Sequence, residues 1–155
     1  MSAIFTTWKN PLEALIKAPG GMRVGDALSK AEANLELIRE PCLADVDEQL
    51  DLLDRLSAEA GEAADDALKL EMYQRTNDIH AVAGVFGLAD MSAAAFCLCE
   101  LIDRLRNSGA WSKVAVDVHL SSLRLLRHPN DEDRASVVEG LRRLTEKIAP
   151  LNAAA

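Results

Sequence analysis

Apolar residues recur along nearly the whole chain with the three- and four-residue spacing of an α-helix, and this periodicity constrains the fold more than any other feature. Alanine and leucine dominate the apolar stripes, whereas β-branched residues do not gather into alternating runs. Only 4% of the residues are aromatic, which suits helices that pack closely through small and aliphatic side chains. The sequence therefore predicts an all-α fold.

Glycine and proline divide the periodic segments. Pro41 is expected to stop or kink the first helix, Asp65 and Asp66 can cap the third, and Gly87 is placed as its left-handed C-terminal residue. Asn130 with an acid three residues later resembles a capping box. The predicted helices cover residues 26–39, 43–60, 66–86, 90–107, 112–128 and a last segment that ends before residue 150.

The connections between these helices are short, so consecutive helices should be antiparallel neighbours. We expect an antiparallel up-down four-helix bundle with an additional N-terminal helix or arm and a C-terminal helix. Residues 1–25 form the predicted arm, whose apolar side chains would pack on the body or on a second chain. Residues 26–150 form a single predicted domain, and residues 151–155 a disordered tail.

Charge and composition exclude several classes of function. The chain has 25 acidic and 17 basic residues, a net charge of −8, so electrostatic binding to a nucleic-acid backbone is not expected. No apolar run approaches the roughly 20 residues of a membrane span, and the N-terminus lacks the apolar core of a signal peptide. We expect a cytoplasmic protein that binds neither nucleic acid nor membrane.

The acidic residues are concentrated before residue 100, most densely from Asp45 to Asp66, where nine acids face the single base Arg55. We interpret this segment as a solvated helix face. The three cysteines do not form a disulfide framework. Cys97 and Cys99 are two residues apart on a helix, where their side chains diverge by about 200°, so buried thiols are expected and no metal site is predicted.

The third predicted helix carries the most informative segment, which reads Asn-Asp-Ile-His-Ala-Val-Ala-Gly-Val-Phe-Gly from Asn77. Helical spacing places Asn77, His80, Ala81 and Gly84 on one face, and the predicted core residues of this helix, Leu70, Tyr73, Ile79, Val82 and Phe86, largely on another. Glycine within a helix costs on the order of 1 kcal/mol relative to alanine, and close approach of a partner would explain it. The outward strip thus presents one imidazole among small residues.

This segment resembles the active helix of the histidine-containing phosphotransfer (Hpt) domains of bacterial phosphorelays, and the resemblance covers roughly residues 43–128, including an Ala-rich start and a Leu-Cys pair in the next helix. It implies a four-helix bundle that exchanges phosphoryl groups with a response regulator, and an origin among Hpt-like proteins of alphaproteobacteria. The implied partners are a receiver domain, a histidine kinase or both, and the Mg²⁺ would come from the receiver, so no cofactor of its own is expected. The implied contact residues are Asn77, His80, Ala81, Gly84, Val85 and Leu88.

Two registers of the family pattern compete. If His80 is the phosphoacceptor, Gly84 falls on the family's glycine, but the distance to Gly87 is three residues too short. If Gly87 is the helix-terminal glycine, the acceptor position is Asn77 and His80 takes the family's lysine position, without a gap. An amide has no basic nitrogen that could accept a phosphoryl group, so the second register predicts a non-phosphorylatable pseudo-Hpt.

Two further observations bear on function. Lys69 and Arg75 lie on or near the third helix and could help hold phosphoryl oxygens, although neither occupies the family's plus-three position. No phosphate loop, nucleophile elbow or paired-carboxylate motif is found, so as an enzyme the chain would be a phosphotransfer carrier at most. The alternative is a helical dimeric interaction protein unrelated to phosphorelays, with residues 1–25 and Trp111 at its dimer interface.

Overall fold

The computed structural model describes residue 20 and residues 23–128 and 134–148. These residues contain five α-helices and no strand, which confirms the all-α prediction. The helices are α1 (Val24–Ala60), α2 (Asp66–Val85), α3 (Ala89–Asn107), α4 (Lys113–Arg127) and α5 (Arg134–Ile148). No helix in the described segments is long and apolar enough to cross a bilayer.

The chain divides into two units, residues 1–38 and residues 39–155. In the first unit, the described part of α1 is exposed throughout, including its apolar residues Leu28, Leu35 and Ile38. The predicted arm at residues 1–25 lies almost entirely outside the described residues, as do the proposed Asn130 capping box and the tail at residues 151–155.

The prediction that a helix stops at Pro41 is wrong, because α1 runs through this residue. A proline in a helix interior removes one hydrogen-bond donor and crowds the preceding turn. Pro41 is exposed, so the carbonyl that loses its partner can be hydrated. The helix-forming residues on both sides then carry the helix across this position.

The ends of α2 follow the sequence closely. The carboxylate of Asp65 accepts a hydrogen bond from the backbone N–H of Leu68 at 2.8 Å, which caps the first turn. At the other end Gly87 has a φ of 75°, and its N–H and that of Leu88 donate to the carbonyls of Gly84 and Ala83. This is the paired hydrogen bonding of a Schellman motif, and it ends α2 where the sequence predicts.

Helices α2 and α3 are joined by three residues and run antiparallel, with the Arg106 guanidinium 2.9 Å from Asp66 at one end and His80 bonded to Ser92 at the other. The buried face of α2 differs from the prediction, because Leu70 is exposed. The side chains that point inward are those of Lys69, Met72, Thr76, Ile79 and Ala83. The prediction for Leu70 was wrong because the buried face of α2 includes Met72 and Thr76, and Leu70 lies on a different side of the helix.

Three aspartates of α1 form ion pairs with arginines of α4, and one further hydrogen bond joins the two helices. Arg127 lies 2.9 Å from Asp47, Arg124 lies 2.7 Å from Asp51, and the Ser57 hydroxyl donates to Asp117 at 2.6 Å. These exposed carboxylates form ion pairs whose individual contributions are small. Their order shows that α1 and α4 run in opposite directions within the second unit.

Helix α5 packs on α3 and α4 through a buried polar contact. The Thr145 hydroxyl lies 3.1 Å from Nε2 of His119, and Nδ1 of His119 lies 2.8 Å from the Ala115 carbonyl. Since a carbonyl only accepts, Nδ1 donates and Nε2 accepts from Thr145. Burial lowers the pKa of His119, because removal from water disfavours the charged imidazolium. His119 therefore belongs to the packed interior.

We expect the free energy of unfolding to decrease as the pH falls below about 6.5. His119 has a lowered pKa in the folded chain, so below the unfolded-state value the unfolded chain binds a proton that the folded chain does not. The stabilisation is present above pH 6.5 and is lost progressively toward the folded-state pKa. Urea unfolding between pH 8 and 5 measures this slope.

His119→Gln should flatten the pH dependence in this range, and His128→Gln, a change at an exposed histidine, is the matched control. The carboxyls of Asp66 and Glu139, whose pKa values are lowered by hydrogen bonds from Arg106 and Arg142, keep their full contribution above about pH 5 and lose it only at lower pH, outside this range. An equal slope in wild type and His119→Gln would contradict the assignment.

Candidate functional site

The six predicted contact residues lie along the C-terminal half of α2 and the turn that follows, and we call them the docking strip. Of these, Asn77, Ala81, Gly84 and Val85 are exposed, and Val85 is 60% exposed. His80 and Leu88 are half-buried, and Leu88 packs against the core. The strip is therefore a shallow surface of small side chains with the imidazole at one edge.

The imidazole of His80 is held by Ser92 on α3. Nδ1 lies 2.9 Å from the Ser92 carbonyl oxygen and 2.9 Å from its hydroxyl oxygen. The Ser92 hydroxyl in turn donates to the His80 carbonyl at 3.0 Å. Because a carbonyl oxygen can only accept, Nδ1 must be the protonated nitrogen. In the neutral ring the lone pair therefore resides on Nε2, which is the nucleophilic nitrogen.

A groove of about 540 Å³ opens beside His80, between the end of α2, the first half of α3, and α5. Its lining includes Gly84, Ser92, Phe96 and Val138, with Arg142 at the α5 side. The Phe96 ring is 51% exposed, and its centroid lies 5.8 Å from that of His80. An exposed aromatic ring next to an imidazole gives this edge of the strip an apolar contact surface.

The two cations predicted near the strip are engaged elsewhere. Lys69 is 5% exposed, and its ammonium donates to the Ala110 carbonyl at 2.8 Å, at the C-terminal end of α3. Arg75 pairs with Glu71 at 2.7 Å and donates to Gln49 at 3.0 Å. Both side chains therefore stabilise helix packing rather than the surface around His80.

Arg142 is the cation that lines the groove, and sequence reasoning did not find it. Its guanidinium pairs with Glu139 at 3.0 Å and with Glu146 at 3.3 Å, both on α5. The Arg142 side chain is 57% exposed, so these pairs contribute little to stability. Arg142 therefore places a largely exposed positive charge at the α5 side of the groove.

Gly84 has no internal packing reason to be glycine. A Cβ added there would meet only the Ser92 hydroxyl oxygen, at 3.4 Å, which is an ordinary contact. Gly140 on α5 is comparable, since a Cβ there would meet nothing within 4 Å. Glycine at either position loses helix propensity relative to alanine. The difference between them is that Gly84 lies on the docking strip.

The cysteines are free thiols, and Cys97 and Cys99 are buried. Burial raises the pKa of the Cys99 thiol to about 12, so this thiol stays protonated and unreactive at neutral pH. Across the described ranges, no group of three or more His, Cys, Asp or Glu side chains is placed to hold a metal ion. The chemistry of this region is therefore that of His80 and its neighbours.

Sequence reasoning found His80 but missed the residues that hold and flank it, Ser92 and Phe96. Both lie on α3, on the far side of the Gly87 turn. The short connection could have indicated them, because a three-residue turn between antiparallel helices brings together residues that lie at similar distances before and after the turn. The identity of the contacting residues depends on the rotation of α3 about its own axis, which the apolar stripe defines only coarsely.

We predict that Gly84→Ala and Gly140→Ala each raise the free energy of unfolding by up to about 1 kcal/mol, because alanine has the higher helix propensity and both sites have room for a methyl group. Chemical denaturation of the two variants measures this. A Gly84→Ala variant less stable than wild type would show that Ser92 cannot accommodate the methyl group and that the glycine has an internal packing role.

Comparison of the chain with protein-family models, with curated proteins and with solved structures gives no match. A function for this chain is therefore inferred from the chemistry of its own residues: the imidazole of His80, the serine that holds it, and the small exposed side chains along α2.

Proposed function

We propose that this chain is an Hpt-like protein of bacterial two-component signalling, which docks the receiver domain of a response regulator through the docking strip. The proposal rests on His80, a half-buried side chain whose Nδ1 is hydrogen-bonded to the Ser92 carbonyl. Exposed small residues extend from it along the same helix. Small side chains allow a partner to approach the helix closely, and an apolar, nearly uncharged strip is suited to an interface centre.

The arrangement of helices supports the finer fold assignment, an antiparallel up-down four-helix bundle formed by residues 39–60 of α1 with α2, α3 and α4. Arg75 of α2 reaches Gln49 of α1, α2 packs on α3, α3 on α4, and α4 pairs with α1. This order of neighbours is the one that a ring of four helices requires. Helix α5 is then the additional C-terminal helix, packed outside the ring on α3.

One assignment of the phosphoacceptor is His80, and the hydrogen bond at Nδ1 favours it. The Nε2 lone pair attacks the phosphorus of the receiver's aspartyl phosphate. An N–P bond forms, the P–O bond to the aspartyl group breaks, and the aspartate leaves as a carboxylate. The proton stays on Nδ1 and keeps its hydrogen bond to Ser92. The partner's Mg²⁺ would offset the charge of the phosphoryl oxygens.

The other assignment places Asn77 at the acceptor position, and two observations favour it. Asn77 is exposed on the strip, and Gly87, with its positive φ, ends the helix ten residues later, as the gap-free register requires. Since an amide nitrogen is not nucleophilic, the protein would then bind a receiver without taking phosphate from it. Both assignments share the same docking strip.

We predict that Ala81→Glu weakens binding to a cognate receiver domain at least tenfold, because a charged side chain would be buried at the centre of the interface. Ala58→Glu is the matched control, since Ala58 is also an exposed helical alanine but lies near the opposite end of the bundle. Titration calorimetry against a panel of receiver domains measures both affinities. Equal affinities for the two variants would contradict docking through α2.

The acceptor is identified by incubating the chain with a phosphorylated receiver or an autophosphorylating histidine kinase. Relay through His80 predicts acid-labile label that is lost in His80→Ala and retained in Asn77→Ala. Binding without label from every donor that binds would instead support the pseudo-Hpt assignment. In that case Asn77→His tests whether a histidine restored at this position accepts the phosphoryl group.

A further inference from the structure

We propose that Ser92 is a positioning residue for His80: it determines which ring nitrogen is the nucleophile and holds that nitrogen at the docking strip. This inference deepens the proposed function and rests on the assignment of His80 as phosphoacceptor. Ser92 lies outside the docking strip, on a different helix, and no feature of the sequence around His80 identifies it.

Two oxygen atoms of Ser92 face the same ring nitrogen. Its carbonyl and hydroxyl oxygens each lie 2.9 Å from Nδ1 of His80. The hydroxyl proton is committed to the His80 carbonyl, 3.0 Å away, so the hydroxyl oxygen presents a lone pair to the ring. Nδ1 is therefore surrounded by acceptors, and only its protonated form makes a favourable contact.

The opposite tautomer is disfavoured for the same reason. With the proton on Nε2, the lone pair of Nδ1 would face the lone pairs of the carbonyl oxygen, and the buried side of the ring would lose its hydrogen bond. A carbonyl acceptor at one ring nitrogen is a general means of setting which nitrogen is available for chemistry. Here it leaves the Nε2 lone pair available for an incoming phosphoryl group.

The same contact would stabilise the product of transfer. When Nε2 forms a bond to phosphorus, its lone pair is used and the ring gains positive charge, which strengthens the Nδ1–H donor. The Ser92 carbonyl accepts from that donor without rearrangement. Ser92 is held in turn by α3, because its backbone N–H donates to the Leu88 carbonyl at 2.9 Å in the first turn of that helix.

Nitrogen NMR of the ¹⁵N-labelled full-length chain at pH 8.5, where imidazole side chains are neutral, tests the tautomer without any partner. We expect His80 to be protonated at Nδ1, with the exposed His128 as the internal reference. Ser92→Ala keeps the backbone carbonyl at Nδ1 but removes the second acceptor, the hydroxyl oxygen, and its bond to the His80 carbonyl, so part of the population should move toward protonation at Nε2. Predominant protonation of His80 at Nε2 in the wild type would overturn the proposal.

The rate of labelling tests the consequence for transfer. Ser92→Ala should slow phosphoryl transfer to His80 about tenfold, the effect expected from one lost hydrogen bond, with receiver affinity unchanged. Ser92→Thr, which keeps a hydroxyl, should restore most of the rate. Ser122→Ala is the matched control, because the Ser122 hydroxyl also donates to a helix carbonyl, that of Val118 at 2.8 Å, but on α4.

The two proposals fail in different ways. An unlabelled wild type whose His80 is protonated at Nδ1, with the shift seen in Ser92→Ala, would reject relay through His80 but support the role of Ser92 in setting the tautomer. A labelled wild type in which Ser92→Ala changes neither the tautomer population nor the rate would support relay and overturn the role of Ser92.

Discussion

The left-handed turn at Gly87 is the constraint on which the rest of the candidate site depends. Its Schellman hydrogen bonds end α2, and the chain then needs only three residues to begin α3 in the opposite direction. Ser92, in the first turn of α3, is thereby laid against His80 in the last two turns of α2. A longer or looser connection would not fix the two side chains within hydrogen-bond distance, and the imidazole would lose the contact that distinguishes its two nitrogens.

The electrostatics of the chain separate structural charge from the proposed interface. Three aspartates of α1 are paired with arginines of α4, and Lys69 and Arg75 are engaged in helix packing. The docking strip itself contains no carboxylate, ammonium or guanidinium group. Under the proposed function, a partner would recognise it through close approach of small surfaces and the His80 ring, while the acidic residues of α1 would act on charged partners only at longer range.

Helix ends and buried faces differ in how well the sequence predicts them. Helix ends set by local chemistry are accurate, as at Asp65 and Gly87, because capping involves residues adjacent in sequence. The prediction of a helix end at Pro41 was wrong because the energetic cost of a proline in a helix depends on whether the carbonyl that loses its hydrogen bond can be hydrated. That depends on how exposed the helix is at this point. The prediction that Leu70 is buried was wrong because apolar residues occupy more than one face of α2, and packing against the neighbouring helices decides which face is buried.

The sequence by itself determined the all-α fold, most helix boundaries and the presence of one imidazole among small residues on α2, since these follow from periodicity, capping and glycine placement. Only the tertiary structure decided that His80 lies at the edge of the strip rather than at its centre, that Ser92 and Phe96 contact it, and that Arg142 lines the same groove. The physical reason is that these neighbours come from α3 and α5. Their side chains come to the groove beside His80 only after the apolar stripes of those helices have fixed how each helix is rotated against α2.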